Sequence, residues 1–488
     1  MDRNLTALKP SLVWKHFDRI VRIPRPSSHE EKIRQYVLDF AREKGLECRE
    51  DGAHNVYVRK PASPGMENRK GVILQAHLDM VPQKNNDKAF DFENDPIDAY
   101  VDGGWVTADG TTLGADNGIG AAAILAVLED DTLVHGPLEA LFTATEETGM
   151  DGAFGLEPGL LQGEILLNLD SETEGELYVG CAGGLDANIR FAAGWEPLPE
   201  GDYTAARITV KGLKGGHSGI QIVCQRANAN KVLFRFLDTA AEAFGTMLCE
   251  VDGGGLRNAI PREASAVVLV ESRRFDALAE ALARYEKTIG AEYAGIEDSV
   301  SILIGKCDAP ARMIGRRTAE VLVRAVIACP DGVQKMSTAM PGLVQTSNNL
   351  ARVVSEGDAV RLQCLMRSSV NSEKEALGRS LKALFALAGA ETELTGSYDG
   401  WNPNMRSPIL GAMVSSYEAL YGRKPAVTAI HAGLECGIIG SKYPGLDMIS
   451  FGPTICYPHS PDEKVEIASV GRFYEFLVHT LRNTPEKR

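Results

Sequence analysis

The chain has 488 residues, and its 51 Lys plus Arg against 66 Asp plus Glu give a formal charge of −15. That acidic balance excludes nucleic acid and anionic membrane surfaces as principal partners, because both demand a surplus of cation. A hydrophobic content of 44% with 24% charged residues excludes a disordered chain, and at about 150 residues per domain the length predicts roughly three globular units.

The first segment, MDRNLTALKPSLVWKHF, mixes charges with apolar residues and has no apolar core of the signal-peptide kind. The longest apolar run, Ala121–Leu128, falls far short of the ~18 residues of a membrane helix. The nine cysteines form no C-x-x-C pair, which predicts reduced thiols and a cytoplasmic protein. Ser11 is placed to cap a helix beginning LVWKHF. Ser28 is placed to cap a second, KIRQYVLDFAREKG, closed by Gly45. β-rich runs follow at Asn55–Arg59, Val72–Leu78, Leu138–Thr143 and Glu164–Leu169, with an apolar helix over Asn117–Leu128 between the second and third. Strands interleaved with helices predict an α/β layer fold around a largely buried sheet.

From about Leu185 the pattern changes to alternating strands, at Ala206–Lys211, Ala264–Glu271 and Ala359–Met366. Three long amphipathic helices separate them, at Ala227–Phe244, Arg316–Ala328 and Ser372–Leu387. After Trp401 the α/β pattern resumes, with a helix near Pro408–Tyr421, a strand near Ala426–Ile430 and a last helix from about Val465. The expectation is therefore two domains: a discontinuous α/β domain over 1–185 and 401–488, and an α+β domain over 186–400 inserted into it.

Acids and histidines gather at the predicted strand ends. Val72–Leu78 leads into His77-Leu-Asp79, whose side chains share a face because residues two apart in a strand point the same way. A carboxylate beside a histidine can take its N–H and so set the tautomer of a metal ligand. Asp116 opens the apolar helix within TTLGADNGIG. Leu138–Thr143 runs into Glu146-Glu147, and Glu164–Leu169 into Asp170. Each has a plain structural reading as well: Asp116 a helix cap, Glu146-Glu147 a solvated loop, His217 in Lys214-Gly-Gly-His-Ser-Gly an incidental histidine in a turn. Together they place imidazole and carboxylate beyond the carboxyl ends of one sheet, where open α/β sheets bind ligands and where zinc, cobalt or manganese would find suitable donors.

The blocks AHLDMVPQ, TTLGADNGIG, TATEETGMDGA, LNLDSE, KGLKGGHSG, RNAIPREA, HAGLECG and GPTICYPHSPDE occur in the order seen in the cytosolic aminoacyl-histidine dipeptidases. That group is a branch of the dinuclear-zinc family that includes aminoacylase and the glutamate carboxypeptidases, and the resemblance spans essentially the whole chain. It implies a zinc-peptidase-like α/β catalytic domain with an inserted α+β lid and dimerisation domain. It further implies a homodimer and two divalent ions per subunit, Zn²⁺ with Co²⁺ or Mn²⁺ as alternatives. One ion would be held by His77 and Asp170 and the other by Glu147 and His459, with Asp116 bridging. Asp79 would orient His77, Glu146 would act as general base on a metal-bridged water, and His217 would donate to the oxyanion, often across the subunit interface. Asn258 would contact the substrate, and Arg367 would clamp its carboxylate, although a surface arginine reads equally well there. His431 and Glu435 would approach its amino end, with their roles open.

The implied activity is hydrolysis of unblocked dipeptides, including Xaa-His. The alternative is an N-acyl-amino-acid deacylase of the same fold. Gly114-x-x-x-Gly118-x-Gly120 also matches a nucleotide turn, but Asp116 sits where a pyrophosphate would approach backbone N–H groups. A non-catalytic binding protein of this fold would be expected to have lost ligands, and none of the proposed set is missing. The chain departs from the branch pattern at Ile220–Arg226, which has neither the acidic residue nor the second histidine of that branch, and at Arg25, where the branch has histidine.

Overall fold

The computed structural model describes residues 3–487, and the chain is organised as two units. The first comprises Met1–Gly180, Pro403–Ala429 and Leu434–Arg488; the second comprises Cys181–Asn402 and Ile430–Gly433.

The first unit is an α/β layer structure. Its main sheet runs in the order Glu47–Glu50, Val56–Lys60, Leu138–Thr143, Val72–His77, Ile165–Asn168, Asp447–Ser450, Glu176–Cys181, Ala426–Ile430. The central strand Val72–His77 is parallel to both of its neighbours, Leu138–Thr143 and Ile165–Asn168, and Asp447–Ser450 is parallel to the latter. Parallel strands are covered on both faces, which explains why Val72–His77, Leu138–Thr143 and Ile165–Asn168 are buried throughout. The helix Ala115–Glu129 packs between strand Val72–His77 and helix Ser11–Val21. It is buried continuously over Asn117–Leu128, as expected of a helix that is apolar all round. A second sheet joins Ile455–Cys456, Lys464–Glu466, Trp105–Ala108 and Ala99–Asp102.

One polar rail crosses this apolar sheet. Ser450 Oγ donates to Asn168 Oδ1 at 2.5 Å, and Asn168 Nδ2 donates to Gln75 Oε1 at 2.5 Å. Gln75 Nε2 donates to Thr143 Oγ1 at 3.1 Å and to Glu435 Oε2 at 2.6 Å, which Thr143 Oγ1 also reaches at 2.7 Å. Ser450, Asn168, Gln75 and Thr143 sit on four adjacent strands near the ends that carry the candidate ligands, and Glu435 opens the helix Glu435–Lys442. Orphaning one buried member of such a set costs about 1–3 kcal/mol, so the rail fixes the mutual register of those ends.

The second unit is α+β. An antiparallel sheet runs Ser301–Lys306, Tyr203–Lys211, Ala264–Glu271, Met247–Gly254, Val344–Glu356, Ala359–Ser368, Gly183–Ala192, Glu391–Tyr398, with Gly332–Met336 paired to Val344–Glu356 off this path. Alternation along Tyr203–Lys211 sends Ala206, Ile208 and Val210 into the main core with the helices, while Ala205 joins Val267 and Leu269 in a small cluster on the opposite face.

The expected elements recur with shifted ends, and three expectations need correction. Ser11 is the first residue of helix Ser11–Val21, whose cap position is Pro10. Ser28 lies outside helix Glu31–Glu43, at φ +68, with its N–H on Glu30 Oε1. The second unit holds a fourth long helix, Phe275–Glu292, whose buried residues are only Leu278, Leu282 and Ile289. That stripe is too sparse to stand out as an apolar face.

Candidate active site

In the first unit the strand ends bring the proposed ligands together. His77 Nε2 lies 3.1 Å from Asp116 Oδ1 and 3.2 Å from Asp170 Oδ1. His459 Nε2 lies 3.1 Å from Asp116 Oδ2 and 3.0 Å from Glu147 Oε2. The two oxygens of Asp116 therefore face two different histidines, each with its own further carboxylate. Asp116 and Asn117 depart from helical dihedrals within Ala115–Glu129, and no side-chain cap bond forms at that end, so Asp116 is not a helix cap. Asn117 Nδ2 donates to Asp170 Oδ1 and, at 2.8 Å, to Leu169 O.

Asp79 is fully buried and does more than face its histidine. Oδ1 lies 3.3 Å from His77 Nδ1 and accepts from Glu146 N at 2.9 Å; Oδ2 accepts from Glu147 N at 3.1 Å and Ser27 Oγ at 2.7 Å. One carboxylate thus holds the His77 ring and the Glu146–Glu147 turn. That turn is sharp: Thr145 takes φ +53 and Met150 φ +58, flanking the one-turn helix Glu146–Gly149. The segment is not a solvated loop, since the Glu147 side chain is only 5% exposed.

The electrostatics are those of too much negative charge in too little water. Burial, then repulsion from Asp170, Glu435 and Glu147 against the pull of His77, raises the Glu146 carboxyl well above the usual range. Burial likewise pushes Asp170 up to about 6 and Glu435 up to about 7. Glu172, which the motifs did not single out, is pushed up to about 8 by burial and by Asp116 and Asp170. Hydrogen bonds to Asp116 and Glu147 raise His459 to about 11. Asp79 goes the other way, to about 2: burial opposes its ionisation, but the His77 ring and the donors around it outweigh burial.

Divalent cations fit this arrangement. Two trios, His77/Asp116/Asp170 and Asp116/Glu147/His459, have their donor atoms mutually within 4.8 Å, and a third, His77/Glu146/Glu147, reaches the proposed base. Nitrogen–oxygen spacings of 3.0–3.2 Å are near the roughly 3.4 Å that separates two ligands on a tetrahedral ion with bonds of about 2.1 Å. Glu147 Oε1 is buried with no hydrogen-bond partner, a donor atom with its lone pairs unspent.

The second unit gathers a different set. His217 pairs with Ala259 in a two-stranded ladder, and Ser218 N donates to Asn258 O at 2.8 Å, so His217 and Asn258 are neighbours. His217 Nδ1 accepts from the N–H groups of Gly219 and Ile220 at 3.2 and 3.1 Å. Burial and then Arg367 lower its pKa, so the ring is neutral and its proton sits on Nε2, a free donor. Arg367 is 6% exposed and not a surface arginine; Nη1 donates to Tyr398 Oη at 3.0 Å, and Nε has no partner. His431 shares a 2.8 Å hydrogen bond with Ser347 Oγ, and burial, then Arg367 and His217, lowers it to about 3. The buried Arg367 guanidinium, with Nε unspent, suits a carboxylate guest. The HAGLECG block is divided: His431 belongs to the second unit, whereas Glu435 is fully buried in the first, on the polar rail.

Residues 73–483 match the model of peptidase family M20/M25/M40. The chain belongs to that family. This M20 chain is 46% identical over 483 residues to the cytosol non-specific dipeptidase of Escherichia coli (strain K12), covering 99% of each. A crystal structure of aminoacylhistidine dipeptidase from Vibrio alginolyticus superposes with a TM-score of 0.94 at 47% identity, covering 99% of both chains. Aminopeptidase PepT from Bacillus cereus, at 16% identity, 98% and 99% coverage and TM-score 0.58, shares the fold. M20 peptidases are metal-dependent, so the chain is a metallopeptidase, a hydrolase with a zinc-peptidase-type α/β domain and an inserted α+β unit.

Proposed function

We propose that this M20 chain hydrolyses the peptide bond of unblocked dipeptides, Xaa-His among them, with two divalent ions, Glu146 as general base and His217 as oxyanion donor. The reading is carried by Asp116, whose two oxygens face His77 and His459, each with a second carboxylate beside it. The relatives' names, cytosol non-specific dipeptidase and aminoacylhistidine dipeptidase, support the substrate class over an N-acyl-amino-acid deacylase. Imidazole with carboxylate suits Zn²⁺, with Co²⁺ or Mn²⁺ as substitutes. Held by His77, Asp116, Asp170, Glu147 and His459, two such ions would supply Lewis acidity toward the scissile carbonyl and the attacking water.

The chain's own residues do the rest. Glu146 takes a proton from the attacking water and returns it to the leaving amine; burial beside other carboxylates gives it the basicity that the transfer needs. His217 offers Nε2–H to the oxygen that becomes negative, and Arg367 receives the substrate carboxylate. A cytoplasmic location and a homodimer formed through the inserted unit, over 186–400 between catalytic segments 1–185 and 401–488, belong to the same proposal. No helix among the described residues is long and apolar enough to cross a membrane. A panel of a free dipeptide, its N-acetyl form, a tripeptide and an N-acetyl amino acid tests the reading. The free dipeptide is expected to be cleaved fastest; rapid cleavage of the N-acetyl amino acid with the dipeptide untouched would overturn it.

A further inference from the structure

Arg25 is among the largest side chains fully enclosed in this fold, with 1% exposure. Its guanidinium meets backbone carbonyls and no carboxylate: Nη1 donates to Leu78 O and Asp79 O, both at 2.8 Å, and Nη2 donates to Gly114 O. Leu78 and Asp79 follow His77 directly, and Gly114 lies two residues before Asp116. One planar fork therefore ties the two loops whose side chains meet at His77 Nε2 and Asp116 Oδ1.

The space for that fork is built by glycines. A Cβ on Gly114 would stand 2.5 Å from Arg25 Nη2, and one on Gly118 would stand 2.8 Å from the same atom. Two of the three glycines that mimic a nucleotide turn are thus the walls of an arginine slot. The Gly114 loop is gripped from its N–H groups as well. Buried Glu463 accepts from the amides of Leu113, Gly114, Ala115 and Asp116 at 2.8, 2.9, 2.7 and 3.3 Å. Burying a guanidinium without a carboxylate partner is costly. What it secures is a bridge that a lysine cannot copy, because an ammonium is a point donor on a single stem.

We propose that Arg25 is a positioning residue for the metal centre: its fork joins the Leu78–Asp79 and Gly114 carbonyls and so fixes His77 relative to Asp116. The proposal rests on the reading of those residues as metal ligands. Groups that orient ligands typically change metal affinity 10–100-fold when altered.

The test uses the full chain stripped with a chelator, then titrated with Co²⁺ against a chromophoric competitor, reading affinity, the Co²⁺ visible spectrum and, at saturating metal, kcat and KM for a dipeptide. Arg25→Lys keeps the charge and loses the fork. It is expected to bind at least one Co²⁺ about tenfold more weakly, with a changed spectrum and a kcat about tenfold lower at nearly unchanged KM. Affinity, spectrum and kcat within twofold of wild type would overturn the proposal. So would a wild-type-like Arg25→Lys beside a defective Arg25→Met, since charge alone would then suffice. Should Arg25→Lys not fold, Gly118→Ala leaves Arg25 in place but crowds Nη2 at 2.8 Å, more tightly than its next neighbour, the Phe17 ring at 3.1 Å. It is expected to weaken Co²⁺ binding in wild type and much less in Arg25→Met, and equal effects in both backgrounds would overturn the proposal. A wild-type chain that binds no Co²⁺ would instead refute the metal-centre reading beneath it.

Discussion

Glu146 and Glu147 are adjacent in sequence, are held by the same buried carboxylate, and are proposed to do different work. Glu147 reaches His459 at 3.0 Å, whereas Glu146 is absent from both trios that include Asp116. Glu146→Gln is therefore expected to keep its metal stoichiometry and lose about 10²–10⁴-fold in kcat, because a general base is removed and a ligand is not. His217→Ala should also retain metal while losing about 10²–10³-fold, the range for one oxyanion donor. Metal analysis beside steady-state kinetics separates the cases; near-wild-type turnover in Glu146→Gln would remove it from the mechanism.

At the scale of elements, helix Ser11–Val21 is pinned to its surroundings by His16, whose side chain is 1% exposed. Nδ1 lies 3.0 Å from Tyr36 Oη and Nε2 lies 2.9 Å from Glu129 Oε2. Burial outweighs Glu129 and lowers this imidazole from 6.5 to about 4, so a neutral imidazole donates its Nε2–H to the Glu129 carboxylate. The unfolded chain therefore binds the proton first, and His16 costs stability as pH falls from about 6.5 to about 4. At 1.36 kcal/mol per pKa unit the loss approaches about 3 kcal/mol. Urea midpoints at pH 7.5 and 4.5 should drop more in wild type than in His16→Gln, and parallel drops would contradict this.

The same scale shows what could be read from sequence. His77 and Asp79 were legible because a strand's period of two is local, and Asp170 and Glu146–Glu147 because buried apolar runs end abruptly in acid. Glu463 was not: it meets Asp116 N across a separation of 347 residues by accepting backbone amides, which leaves no pattern in side chains. Arg25 stood out only as a departure from the branch pattern, with nothing to say that its partners were carbonyls. Helix Phe275–Glu292 escaped because three buried residues in 18 make a faint stripe.

For the whole molecule, the charge of −15 does not itself describe the function. What matters is a concentration of carboxylates at the ends of neighbouring strands in the first unit, held in register by a polar rail and by loops tied to Asp79, Glu463 and Arg25. In the second unit, buried Arg367 adds to the burial that lowers the pKa of both His217 and His431. The carboxylate concentration in the first unit is predicted to be a two-ion centre that the reaction requires. Metal stoichiometry and dipeptide hydrolysis measured on one chelator-stripped sample during Zn²⁺ titration test this most directly. Two equivalents per chain, with activity absent before titration and complete at the second, are predicted; full hydrolysis by the stripped chain, or saturation without bound metal, would contradict it.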